Sequence, residues 1–80
     1  MSSRDEPQAP VLSGDDLIKA LEKFGYIEAR QKGSHVRLRH PTDPQRKPLT
    51  VPRHKTLKPG LLHRILRDAQ VTVEELTAVL

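Results

Sequence analysis

The stretch KGSHVRLRH, residues 32–40, decides how this chain folds. A turn at Lys32-Gly33 precedes a strict alternation of side chains, which is typical of a strand with one covered face. Val36 and Leu38 lie on the covered face and are predicted core residues. His35, Arg37 and Arg39 lie on the other face, where an imidazole in line with two guanidinium groups favours the binding of phosphate.

The composition limits the chain to one small domain. It has 80 residues, of which 35% are hydrophobic, and its only aromatic residues are Phe24 and Tyr26. The core must therefore be aliphatic, with Phe24 as its one large ring. The sequence has no cysteine, so neither a disulfide nor a thiolate metal site can stabilise the fold.

Positive charge is concentrated in the middle of the chain. The net charge is +4 and the isoelectric point is about 9.9, and both values favour a polyanionic partner. Between residues 30 and 58 the only acid is Asp43, whereas nine residues are basic: Arg30, Lys32, Arg37, Arg39, Arg46, Lys47, Arg53, Lys55 and Lys58. We therefore expect a binding surface in this middle segment.

The sequence shows no membrane or export signal. No apolar run reaches the roughly 20 residues that span a bilayer, and the N-terminus lacks the apolar part of a signal peptide. A soluble cytoplasmic protein without membrane contact is the expectation. Residues 1–12 are polar and without periodicity, so we expect a flexible N-terminal tail before a single domain at residues 13–80.

The domain is predicted to begin with a helix and to continue with three strands. Ser13-Gly14-Asp15-Asp16 resembles a capping box, an apolar stripe follows at helical spacing, and Gly25 ends the helix. Residues 26–31 form the first strand, and the turn at Lys32-Gly33 joins it to the second strand at residues 34–40. Residues 41–48 contain three prolines and form a loop before a short third strand, Leu49 to Val51.

Two further helices are predicted after a basic connector, Arg53 to Lys58. Pro59 suits the first turn of the second helix, whose apolar side consists of Leu61, Leu62, Ile65, Leu66 and Ala69. Thr72-Val73-Glu74-Glu75 is a second capping box that starts a short last helix. The predicted fold class is therefore α+β, in the order α-β-β-β-α with a short extra C-terminal helix. A three-stranded antiparallel sheet with both main helices on one face is the simplest arrangement of these elements.

Four motifs in this order resemble those of the HicA-type toxins, small mRNA interferases of bacterial and archaeal toxin–antitoxin systems. They are LIKALEKFGY at residues 17–26, KGSH at residues 32–35, TVPRH at residues 50–54, and LKPG at residues 57–60, which leads to RILR at residues 64–67. The resemblance covers residues 12–80. Members of the family often have a glycine after the second main helix, where this chain has Gln70.

The resemblance implies a double-stranded-RNA-binding-domain-like fold, which agrees with the order of elements predicted from the patterns. It also implies a type II toxin that cleaves mRNA without a metal or other cofactor. The histidine of the Gly-Ser-His turn, which carries the activity in the family, maps to His35. The implied partners are mRNA and a HicB-type antitoxin that covers the active site, and we expect a free monomer that forms a hetero-oligomer with the antitoxin.

Cleavage of RNA by transesterification requires two proton transfers and a group that stabilises negative charge at phosphorus. Histidine suits proton transfer because its pKa lies near neutrality. His35 is therefore the predicted general acid or base, and its complementary group stays open. The predicted substrate-binding residues are Lys32, Gly33, Ser34, Arg37, Arg39, Arg53, Lys55 and Lys58.

Plainer interpretations of the same residues stand beside these predictions. His40, His54 and His63 are expected to be solvated side chains, and the opposite strand parity of His35 and His40 speaks against a metal site. Arg37 or Arg39 could be a charge that protects a sheet edge from aggregation. Lys55 and Lys58 either hold phosphate at a helix N-terminus or are simple loop charges.

Two other functions are compatible with the sequence. The alternative to an enzyme is a non-catalytic RNA-binding module of double-stranded-RNA-binding-domain-like fold that uses the same basic face. A single unit of this size would contact only part of a duplex of about 16 base pairs. A protein-interaction domain that binds an acidic partner is the third possibility, and it overlaps with antitoxin binding.

Overall fold

The computed structural model describes residues 9–80; residues 1–8 lie outside the described part of the chain. The elements are α1 (Gly14–Glu22), β1 (Ile27–Lys32), β2 (His35–Arg39), β3 (Leu49–Pro52), α2 (Pro59–Ala69) and α3 (Val73–Ala78). The sheet order is β1-β2-β3, and both strand pairs are antiparallel. The predicted α+β order is confirmed. Within residues 9–80, no helix is long and apolar enough to cross a membrane.

β2 is the central strand, and its two faces differ completely. Val36 and Leu38 are buried, whereas His35, Arg37 and Arg39 are exposed. The buried residues of β2 and β3 form one core with the apolar sides of the helices, so the predicted single covered face is confirmed. Because β2 is paired on both sides, its arginines do not protect a sheet edge, and that interpretation is wrong.

The one aromatic ring at the centre of the core is Tyr26, and the prediction that Phe24 takes this place is wrong. Tyr26 exposes 2% of its surface, whereas Phe24 is only partly buried and packs against the margin of the core. The cause lies at the end of α1. Gly25 has a φ of +100°, and the Tyr26 N–H donates to the Leu21 carbonyl oxygen at 3.2 Å. This left-handed reversal turns Tyr26 inward and delays β1 to Ile27.

Tyr26 and His40 hold the loop between β2 and β3 against the core. The Tyr26 hydroxyl donates to the Lys47 carbonyl oxygen at 2.8 Å, and burial raises the pKa of Tyr26, so the donor stays protonated. The His40 Nε2 donates to the Phe24 carbonyl oxygen at 2.8 Å, and its Nδ1 accepts the Asp43 N–H at 3.0 Å. The expectation that His40 is a solvated side chain is therefore wrong.

The hairpin turn between β1 and β2 consists of Gly33 and Ser34, one residue later than the predicted Lys32-Gly33. Lys32 pairs with His35, and Gly33 has a φ of +59°. A positive φ at the first position of a two-residue turn matches the twist of the strands and favours glycine. Ser34 therefore belongs to the turn and not to β2.

The predicted helix caps are present. Ser13 caps α1 with its hydroxyl, and Thr72 and Glu75 form a complete capping box at α3. α2 ends on Gln70 in the left-handed conformation, with a φ of 58°. Glycine adopts this conformation at the lowest cost, so Gln70 is a less favourable residue than glycine at this position.

The first turn of α1 lies directly against the end of β3. The Gly14 N–H donates to the His54 carbonyl oxygen at 2.9 Å, and a Cβ on Gly14 would overlap the Pro52 carbonyl oxygen. Asp15 pairs with Arg53, with 2.7 Å between Nε and Oδ1 and 3.4 Å between Nη2 and Oδ2. This contact fixes the start of the connector that follows β3.

The core also includes a residue from the segment before α1. Leu12 exposes 6% of its surface, and its carbonyl oxygen accepts the Leu57 N–H at 3.0 Å. The packed part of the chain therefore begins before Ser13, the start predicted for the domain. Most of the predicted flexible tail, residues 1–12, lies outside the described residues.

Replacement of Gly14 by alanine is expected to destabilise the fold. The new Cβ has no room beside Pro52, so α1 must move away from β3, at a cost of about 1–3 kcal/mol in the free energy of unfolding. Gly60→Ala is the matched control, because a Cβ there meets no atom within 4 Å and alanine favours a helix. Urea unfolding should show opposite signs for the two variants, and equal effects would contradict the close contact.

Tyr26→Phe is expected to lower the free energy of unfolding by about 1 kcal/mol, because it removes the hydroxyl that donates to Lys47 and keeps the ring in the core. Urea unfolding of the variant measures this loss. An unchanged midpoint and slope would mean that the bond does not stabilise the loop.

The Asp15–Arg53 pair is expected to make part of the stability depend on pH. The hydrogen bond from Arg53 holds the pKa of Asp15 below its usual value. Such a carboxyl adds stability above its unfolded pKa, near 3.9, and the contribution is lost as the pH falls through the lower folded pKa. Wild type should therefore melt at a higher temperature than Asp15→Asn at pH 7, and the difference should shrink as the pH falls below the unfolded pKa and vanish below the folded one.

The expected difference in melting temperature is small, because both side chains are exposed and salt weakens their attraction. Melting curves recorded at low and high salt across the pH range test whether the difference comes from the Asp15–Arg53 ion pair. A difference that persists unchanged in strong acid would contradict it.

Candidate active site

The uncovered face of the sheet is basic. Across the β1–β2 pair, Arg30 lies opposite Arg37 and Lys32 lies opposite His35. Residues directly opposite in an antiparallel pair project to the same face, and Arg39 shares it by strand parity. All five side chains are exposed. The β1–β2 half of this face therefore carries three arginines and one lysine around the imidazole of His35.

Glu28 and the nearby acidic residues of α1 lie on the other side of the sheet. Glu28 pairs with Leu38, a core residue, and therefore belongs to the covered face. A groove on that side, between α1 and the sheet, is lined by Asp15, Glu22 and Glu28 among others. The sheet thus separates a basic face from an acidic flank.

The crowding of cations on the basic face has an energetic cost, because like charges directly opposite in a sheet destabilise the pair. Arg37 donates a hydrogen bond from its Nη1 to the Thr50 hydroxyl at 3.0 Å, on the side of β2 opposite to Arg30. This bond fixes the guanidinium over β3. A polyanion on this face would remove the remaining repulsion.

A groove of about 490 Å³ lies between the basic face and α2. His35 and Arg37 form its wall on β2, and Thr50 and Pro52 line it on β3. α2 contributes the residues of one helical face, which are Leu61, Arg64, Ile65 and Asp68, and the lining is completed by Pro48, Leu49 and His54. A groove of this size with polar groups on both walls is suited to a single nucleotide unit of a longer strand.

Only two of the predicted site residues, His35 and Arg37, line this groove. Lys32 lies beside His35 on β1, and Arg39 lies farther along β2 on the same face. Gly33 and Ser34 form the exposed turn next to His35. The Ser34 carbonyl oxygen accepts the Arg53 N–H at 2.7 Å, so the turn is joined to the end of β3.

Arg53, Lys55 and Lys58 lie apart from the groove lining. The Arg53 side chain lines the acidic groove on the other side of the sheet and is bound to Asp15. Lys55 is exposed in the connector, and Lys58 is the N-cap residue of α2 without a side-chain capping bond. These lysines raise the positive potential near the groove but do not line it.

Four residues at the site were absent from the sequence prediction: Arg30, Thr50, His54 and Arg64. The register of the hairpin identifies Arg30 once the turn is placed at Gly33-Ser34. Arg64 shares a helical face with Leu61 and Ile65, so the spacing contained a signal. His54 is exposed, as expected, but it lines the same groove as His35.

The groove offers the chemistry of imidazole, guanidinium and hydroxyl groups. Within residues 9–80, no group of three or more histidine, cysteine, aspartate or glutamate side chains could hold a metal ion. Imidazoles transfer protons near neutral pH, and guanidinium groups bind phosphate oxygens through two parallel hydrogen bonds. The arrangement is therefore suited to acid–base chemistry on a phosphate ester.

The family described as HicA toxin of bacterial toxin-antitoxin matches this chain over residues 14–71. The matched segment contains α1, all three strands and α2, and hence both walls of the groove. A comparison with curated proteins finds no match. The extent of the family match, over most of the chain, shows that the protein belongs to the HicA toxin family of bacterial toxin–antitoxin systems.

Proposed function

We propose that this protein is a metal-independent endoribonuclease that cleaves mRNA, with His35 as a general acid or base. The observation that carries the proposal is the location of His35 in the groove, beside Arg37 and opposite Lys32. An imidazole at this place can transfer a proton at a phosphodiester, and the two neighbouring cations can stabilise the charge that develops on the phosphate oxygens. Membership of a toxin family supports RNA as the substrate.

In the proposed reaction the 2′-oxygen of a ribose attacks the adjacent phosphorus, and the bond from phosphorus to the 5′-oxygen breaks. His35 accepts the proton of the 2′-hydroxyl or donates one to the 5′-oxygen. Arg37, oriented by Thr50, binds the non-bridging oxygens and stabilises the negative charge that develops on them. The products are a 2′,3′-cyclic phosphate and a 5′-hydroxyl.

The other basic residues are proposed to bind the RNA backbone on either side of the cleaved phosphate. Lys32 and Arg39 lie next to His35 and Arg37 on the same face. The main-chain N–H groups of Gly33 and Ser34 are further candidate phosphate donors at the turn. Such contacts add affinity without sequence preference and weaken as salt increases.

Lys55 and Lys58 are proposed as outer contacts that attract RNA to the groove. Both are exposed between β3 and the first turn of α2. Arg53 is the least favoured of the proposed substrate-binding residues, because its guanidinium is already bound by Asp15. It would contact RNA only through its unpaired nitrogen or after leaving the carboxylate.

The proposed regulator is a HicB-type antitoxin that covers the basic face and the groove. Arg30, Lys32, Arg37 and Arg39 together form a target for an acidic protein surface. The edge strand β1 has every residue exposed, so a bound protein can reach the whole face from that side. Occupation of the groove by the antitoxin would exclude RNA by competition.

The proposal is tested by His35→Ala, with His63→Ala as the matched control. His63 is also an exposed histidine, but it lies on α2 outside the groove lining. Loss of a general acid or base is expected to slow cleavage by about 10²- to 10⁴-fold while RNA binding is retained. Cleavage of a purified transcript is measured with a chelator present, and growth and mRNA integrity are followed after induction in a bacterium.

The same measurements distinguish the enzyme from a non-catalytic RNA-binding module. Wild type and His63→Ala should arrest growth and degrade transcripts, whereas His35→Ala should do neither. If wild type and His35→Ala bind RNA equally and neither cleaves it, the binding module replaces the enzyme. Cleavage by His35→Ala at the wild-type rate would show that another group performs the chemistry.

A further inference from the structure

The geometry of the proposed reaction requires a second proton-transfer group. The attacking and leaving oxygens lie roughly in line, on opposite sides of phosphorus. An imidazole close enough to take the proton from the 2′-oxygen is therefore on the wrong side to give a proton to the 5′-oxygen in the same step. His35 alone cannot do both.

Three side chains in the groove lining carry a group that can exchange a proton: His35, His54 and Asp68. The lining arginines stay protonated and serve only as donors. Asp68 lies at the far end of the groove, because its carbonyl oxygen accepts the Lys47 N–H at 3.0 Å. This end of the groove lies next to Leu49. Leu49 is about 10 Å along β3 from Pro52, which pairs with His35.

His54 lies at the same end of the groove as His35. His35 pairs with Pro52, and the ladder continues past Pro52 because the Arg53 N–H donates to the Ser34 carbonyl oxygen at 2.7 Å. His54, two residues after Pro52, therefore returns to the face that carries His35. Both imidazoles line the same groove, so one phosphate held there can lie between them.

The main chain of His54 is held without help from its side chain. Its carbonyl oxygen accepts the Gly14 N–H at 2.9 Å, and the preceding residue is joined to Ser34. Two elements thus fix the backbone while the exposed imidazole extends into the groove. A side chain that has no part in the fold and stands on a main chain held in place is well suited to catalysis.

We propose that His54 is the second catalytic residue, the proton-transfer partner of His35; this rests on the endoribonuclease function proposed above. One histidine, as a neutral imidazole, takes the proton of the 2′-hydroxyl as the bond from the 2′-oxygen to phosphorus forms. The other, as an imidazolium, gives its proton to the 5′-oxygen as the bond from phosphorus to that oxygen breaks. The two histidines exchange protonation states, and no other reactant is needed.

Arg64 completes the site from the side of α2. The titratable or charged groups that share the groove lining with His54 are His35 and Arg37 from β2, Arg64 from α2 and, at the far end, Asp68. Arg37 and Arg64 lie on opposite walls, so a phosphate between the histidines meets a guanidinium on each side. Both cations stabilise the charge on the non-bridging oxygens.

The test uses the full chain as wild type, His35→Ala, His54→Ala, His54→Gln and His63→Ala. Single-turnover rates are measured on a short RNA that spans the strongest wild-type cleavage site. A second RNA carries sulfur in place of the 5′-bridging oxygen at that site, because a thiolate leaves without a general acid. Melting temperature and RNA affinity are measured for each variant, and the pH dependence of the rate is recorded for those that cleave.

The expected result is a loss of about 10²-fold or more on the oxygen substrate for His35→Ala and for both His54 variants, with His63→Ala unchanged. Melting temperatures and RNA affinities should stay near those of wild type. Sulfur should restore cleavage in the variants of one histidine only, which identifies that histidine as the acid. The bell-shaped pH profile of wild type should lose one limb in the His54 variants.

Two results would overturn the role of His54. One is cleavage by both His54 variants within about threefold of wild type, with an unchanged pH profile. The other is that the variants of both histidines stop cleaving the oxygen substrate and that none of them cleaves the sulfur-containing RNA. In both cases an inactive His35→Ala beside an active wild type leaves the proposed endoribonuclease standing, whereas a wild type that does not cleave RNA removes that function itself.

Discussion

The alternation of side chains along β2 is the constraint on which the rest of the structure depends. Val36 and Leu38 pack against the helices, so the two-residue period of a strand forces His35 and Arg37 to the uncovered face. Because β2 has a partner on each side, its register also decides which residues surround the imidazole. A slip of one residue would exchange core and site, so the burial of two aliphatic side chains protects the position of the histidine.

The close approach of α1 to the end of β3 connects the packing of the core to the site. α1 contributes nothing to the groove lining, yet its first residue, Gly14, binds the carbonyl oxygen of His54. Only glycine allows this approach, because any Cβ would meet the carbonyl of Pro52. The ion pair of Asp15 with Arg53 holds the same connector from its other side. A helix that belongs wholly to the core thus determines where a groove residue lies.

Local patterns were sufficient to predict the elements, the caps and the face that carries His35, because each depends on neighbours in sequence. They failed where a left-handed residue or a polar contact outside the regular elements decides the outcome. Gly25 reverses the chain and buries Tyr26, and the ring of His40 is fixed by the Phe24 carbonyl oxygen and the Asp43 N–H. The groove itself depends on how α2 lies beside β3, which no pattern within either element contains. His54 was therefore visible in a motif but could not be assigned to the site.

The distribution of charge on the sheet links the substrate to the proposed regulator. Arg30 opposite Arg37, and Lys32 opposite His35, crowd positive charge on one face, while Glu28 lies on the other. Interactions that stabilise only the fold would favour opposite charges in such pairs. Such crowding is typical of a surface that binds a polyanion, since either a phosphodiester backbone or an acidic protein would remove the repulsion. Because both proposed ligands would gain from the same cations, a partner that covers this face would exclude RNA without any change in the shape of the toxin.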